Sequence, residues 1–86
     1  MKISNEHYQA LRTAILAVVP VMPTAKQYMD RDPTIARIDR AKDTAKRYRW
    51  DLFWASRFDA APLYSAGLND DHIDTALRTI VKEITP

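Results

Sequence analysis

The stretch Asn69-Asp70-Asp71-His72-Ile73-Asp74-Thr75-Ala76-Leu77-Arg78-Thr79-Ile80-Val81-Lys82-Glu83-Ile84 decides the fold class. Ile73, Ala76, Leu77, Ile80, Val81 and Ile84 recur at the three- and four-residue spacing of one helical face. Asn69 is suited to cap that helix, and Leu68 and Ile73 stand at the two positions of a hydrophobic staple. Asp70 and Asp71 fall where the helix dipole favours negative charge. Asp74 and Arg78 are spaced to pair along the helix, and Asp51 or Asp74 can instead hold an arginine of the central helix.

Just upstream, Gly67 is placed to close a short helical turn over 63–66. It is the only glycine among the 86 residues. All-β folds turn tightly many times and draw on glycine to do so, which favours helices here. The N-terminal segment repeats the same logic. Ser4 is a good N-cap, Ile3 and Tyr8 form a staple around it, and Tyr8, Leu11, Ile15 and Val18 share a face until Pro20 ends the helix. Residues 21–23 read as an extended connector, and Thr24 and Gln27 have capping-box spacing for a short helix over 24–29.

Asp32-Pro33 is an acid followed by a proline, a strong helix start. Ile35, Ile38, Ala45, Tyr48, Leu52 and Ala55 give the stripe of a helix over 33–58, with Asp43 as a point where it could restart. Trp50, Phe53, Trp54 and Phe58 add a second apolar face, as expected of the central helix in a bundle. The expected architecture is all-α: one domain over 1–86, a compact bundle of three main helices (4–18, 33–58 and 69–84) with one or two short helical turns.

Composition narrows the function. There is no cysteine, which excludes disulfides and thiol chemistry and points to a reducing cytoplasm. The longest apolar run, residues 14–23, is about half of a membrane span and contains Pro20 and Pro23, so no membrane association is expected. His7 and His72 sit near helix starts beside acids, without the convergent set that zinc needs. One glycine allows neither a nucleophile elbow nor a phosphate-cradling loop. The expectation is a protein without catalytic residues, metal or cofactor.

Binding chemistry concentrates in the middle of the chain. Residues 31–57 hold eight basic residues against four aspartates, whereas residues 69–86 hold four acids against Arg78 and Lys82. Arg47, Arg49, Trp50, Trp54 and Arg57 are the candidate protein-binding residues, since Trp and Arg dominate interface hot spots. Arg37, Arg40, Lys46 and Arg47 are the candidates for an alternative, nucleic-acid contact through phosphates. The interleaved Asp39, Asp43 and Asp51 weigh against that alternative. A dimer formed through the last helix is a third reading, so the chain is expected as monomer or dimer.

Three strings carry a resemblance: Ile3-Ser4-Asn5-Glu6-His7-Tyr8, Lys46-Arg47-Tyr48-Arg49-Trp50-Asp51-Leu52-Phe53-Trp54-Ala55 and Leu68-Asn69-Asp70-Asp71-His72-Ile73-Asp74-Thr75-Ala76-Leu77-Arg78. They resemble a group of small uncharacterised proteins of phages, prophages and other mobile elements. The resemblance leaves out residues 20–40. No activity is established for that group, so it supplies no functional residues. It implies an accessory gene on a mobile element, acting in the cytoplasm of a bacterial host. Small proteins of that origin often bind and inhibit a host protein, including defence systems, as anti-CRISPR proteins do.

Overall fold

A computed structural model describes residues 3–22 and 38–84, with side chains over 3–22 and 45–84. It is an all-α bundle of three main helices and one short one. The helix expected over 24–29, the start of the central helix at 33–37 and the side chains of Ile35 and Ile38 lie outside the described residues.

Helix α1 runs Asn5–Val18. Ser4 is extended, and its hydroxyl accepts the His7 N–H at 3.2 Å, satisfying one of the donors every helix start leaves open. Ile3 and Tyr8 are both buried, as a staple requires. Pro20 stops the α-helix at Val18, and the chain tightens into a 3-10 turn over Val19–Val21. Val21 therefore belongs to this turn and not to an extended connector. Met22 is extended, but its N–H still reaches back to the Val18 and Val19 carbonyls.

Helix α2 spans Ile38–Ser56, unbroken at Asp43. It stops short of the expected Phe58 because Arg57 turns into the left-handed region, with φ at +56°. Its buried side also differs from the expected stripe. Tyr48 and Leu52 are inside, but Ala55 is exposed, and Arg49 and Phe53 are buried with them. Each residue turns about 100° around the axis. A face centred on Leu52 and Phe53 therefore includes Tyr48 and Arg49 and leaves Ala55 near its edge, at the helix end.

Helix α3, Ala61–Ser65, is a single short turn. The Asp59 carboxylate accepts the Ala61 N–H at 3.0 Å to start it. Gly67 ends it with φ at +88°, the Leu68 N–H bonding to the Leu63 carbonyl and the Gly67 N–H to that of Tyr64. This is a Schellman closure, and Leu63 and Leu68 are both buried beneath it.

Helix α4 runs Asp70–Ile84. Asn69 and His72 cap it reciprocally: the Asn69 Oδ1 accepts the His72 N–H at 3.0 Å, and the Asn69 N–H donates to the His72 Nδ1 at 3.1 Å. Histidine takes the place that glutamate fills in a capping box.

Helix α2 packs against both α1 and α4. Leu11, Ile15, Leu52, Phe53, Leu63, Ile73, Leu77 and Ile80 are fully enclosed between the helices. Each is worth roughly 2 kcal/mol relative to exposure, which is how a small domain offsets its chain entropy.

Candidate protein-interaction surface

Arg49 lies on the core side of α2 with 9% of its surface exposed. It survives there because α4 supplies a fork-shaped match. Arg49 Nε donates to Asp74 Oδ1 at 2.8 Å and its Nη2 to Oδ2 at 2.9 Å. The Trp50 indole N–H donates to the same Oδ1 at 2.8 Å. Arg78, one turn further along α4, brings Nη2 to 3.6 Å from Oδ2. The Arg49 hydrogen bonds hold the Asp74 carboxyl below its ordinary 3.8, against the upward push of burial. The Trp50 bond and the charges of Arg49 and Lys46 act in the same direction as the Arg49 bonds. A bidentate arginine–carboxylate pair in a partly dry seam is a strong and directional contact. Of the two aspartates able to take an arginine of the central helix, Asp74 is the one that holds Arg49. Arg49, a candidate for binding, is thus committed to the fold.

The opposite face of α2 is different. Trp54 is 66% exposed, the largest exposed aromatic surface among the described residues. Its ring lies edge-on to buried Phe53 at 5.1 Å between centroids and tilted against half-buried Trp50 at 6.1 Å. Trp50 is itself edge-on to Phe53 at 5.2 Å, and Phe58 lies beside Phe53 at 6.2 Å. Trp54 therefore stands on a fixed base, since Trp50 is tied to Asp74 and Phe53 is in the core. Arg47 is exposed two turns earlier on the same face, beside exposed Lys46.

Arg57 follows at the helix end. Its N–H bonds to the Trp54 carbonyl at 3.2 Å, and its side chain is exposed. A positive φ costs a residue with a Cβ roughly 1 kcal/mol or more compared with glycine. The closure is completed by Ser56, whose hydroxyl donates to the Phe53 carbonyl at 2.6 Å and accepts the Phe58 N–H at 3.2 Å. No acid pairs with Arg57 among the described residues.

The structure thus brings Arg47, Trp54 and Arg57 to the surface, leaves Trp50 half-covered and takes Arg49 inside. Of the nucleic-acid candidates, Lys46 and Arg47 are exposed, the side chain of Arg40 lies outside the described residues, and so does Arg37 altogether. Among the described residues no helix is long and apolar enough to cross a membrane.

Some contacts had no signal in the sequence. The Tyr8 hydroxyl donates to Glu83 at 3.1 Å and Arg12 Nε to its other oxygen at 3.1 Å, joining α1 to α4. Burial, then the bond to Glu83, pushes the Tyr8 phenol up. Tyr64 donates to Asp70 at 2.7 Å. These residues are far apart in sequence or separated by a turn, so no helical spacing announces them. The left-handed Arg57 had no signal either, because glycine is the usual residue there.

No family model, curated protein or solved structure matches the chain.

Proposed function

We propose that this chain is a non-enzymatic protein-interaction module of mobile-element origin that inhibits a host defence system from within the bacterial cytoplasm. The observation that carries the interaction reading is Trp54, two-thirds exposed on the side of α2 that faces away from the core. Tryptophan and arginine are the side chains that contribute most when a partner covers them. Arg47 and Arg57 flank it. The mobile-element origin rests on the three resembling strings.

The test is a nuclease-treated pull-down from a bacterial lysate with the wild type and with Trp54→Ala, followed by phage plating on cells bearing a defence system. A protein caught by the wild type, lost with Trp54→Ala and belonging to such a system supports the reading. A catch that is indifferent to Trp54 sinks it. A catch that disappears with nuclease moves the function to nucleic acid and to Lys46 and Arg47.

A further inference from the structure

Two independent observations bear on the kind of partner this surface fits. The first is the charge around Trp54. Lys46, Arg47 and Arg57 are exposed, and the acids between residues 45 and 59 are Asp51, which is half-buried, and Asp59, whose carboxylate accepts the Ala61 N–H. The second is the backbone at Arg57. Glycine would take its φ of +56° without strain, as it does at Gly67 with φ +88°. Arginine is present instead, with an exposed side chain that no described acid pairs. Its presence at a position suited to glycine is accounted for if the guanidinium has a task outside the fold.

We infer that Trp54 and Arg57, with Arg47, form a docking site for an acidic segment of a partner protein, in which an apolar side chain covers the indole and carboxylates meet the two arginines. The inference rests on the interaction reading and adds the partner's chemistry to it. A guanidinium takes a carboxylate through paired N–H donors, so two of them around one indole read an acid–apolar–acid pattern. Nucleic acid fits less well. Stacking of successive bases needs successive aromatic platforms, and Trp50 is half-buried with its N–H given to Asp74. A second copy docked by a two-fold axis through this face would set one basic surface against another, arginine facing arginine.

The experiment measures fluorescence anisotropy of a labelled dodecapeptide of repeated Glu-Leu-Asp, of its Gln-Leu-Asn counterpart and of a single-stranded oligonucleotide of equal charge. The expected result is binding of the acidic peptide, with the neutral peptide at least about tenfold weaker. Trp54→Ala should lose about tenfold as well. Arg57→Gly is the decisive variant, because it relieves the backbone while deleting the guanidinium. It should melt higher than the wild type and yet bind the acidic peptide several-fold more weakly, whereas Arg57→Lys keeps part of the binding. Weakened binding by a more stable protein cannot be a folding defect. Equal binding of the two peptides, tighter binding of the oligonucleotide, wild-type binding by Arg57→Gly, or no binding of the acidic peptide at millimolar concentration would each overturn the inference. If the pull-down depends on Trp54 but the peptides show no charge preference, the interaction reading stands and only the acidic partner falls.

Discussion

Arg49 and Arg57 are eight residues apart in the chain, and the fold treats them in opposite ways. Arg49 is in helical backbone, turned inward, with both ends of its guanidinium fork on Asp74 and an indole N–H sharing the same carboxylate. Arg57 is at the helix end in a strained backbone, turned outward and paired with no described acid. Burial is decided by the partner and not by hydropathy. A carboxylate fixed at the right place on α4 makes a core position acceptable to a charge, while Trp54, a large aromatic, stays two-thirds exposed on the side of α2 turned away from the other described helices. The first arginine ties α2 to α4, and no described acid holds the second.

The largest effect should come from removing the anchor of Arg49. Asp74→Ala leaves a buried guanidinium and the Trp50 N–H without their acceptor, and urea unfolding should show a loss of about 3 kcal/mol. Replacing both partners with apolar residues, Arg49→Met with Asp74→Leu, should return most of it. If the single and the double replacement cost the same, the pair is not what makes Arg49 acceptable inside.

Acid should act on the same pair. The folded Asp74 titrates below its ordinary 3.8, so near that pH the unfolded chain binds the proton first. Its stabilisation is complete above the ordinary value, fades as pH falls past 3.8 and is gone below the folded value. Asp74→Asn should flatten the acid side of a stability–pH curve, and an unchanged acid side would contradict the assignment.

The helix ends sharpen the comparison on a smaller scale. Gly67→Ala should destabilise by about 1 kcal/mol through backbone strain alone, since a Cβ there meets no neighbour within 4 Å. Arg57→Gly should do the reverse and raise stability by roughly 0.5–1 kcal/mol. Thermal melts of the two variants decide it, and a destabilised Arg57→Gly would mean that the arginine side chain supports the fold after all. The smallest effect is expected at Trp54, where alanine should change stability by no more than about 0.5 kcal/mol.

The two arginines also mark how far the sequence could be read. The helix ends were legible because their chemistry is local: Ser4 and Asn69 cap, Gly67 closes, and both staples are buried where their spacing put them. The three main helices followed from apolar periodicity. The core face of α2 was misread at Ala55, because that helix is apolar on two sides and the winning face includes a charge. Asp74 is 25 residues from Arg49, so spacing offered it as one possible partner among others and could not select it. The candidate surface was half legible. Aromatic and basic composition pointed to Trp54, Arg47 and Arg57, but also to Arg49 and Trp50, and only the packing of α4 separates them. The charge of Arg57 is visible in the sequence, whereas its left-handed backbone has no signature in the residue types around it.

The hydrogen bond from the Trp50 indole to Asp74 has an optical consequence. The chain holds two tryptophans, one clamped to a carboxylate at the seam between helices and one open to water. Their emission should differ in colour and in access to a dissolved quencher. Exchanging Trp54 for phenylalanine leaves a lamp that reads the seam alone, and exchanging Trp50 leaves one that reads the outer face. The protein thus carries its own pair of reporters, one for unfolding and one for occupancy, without an added dye.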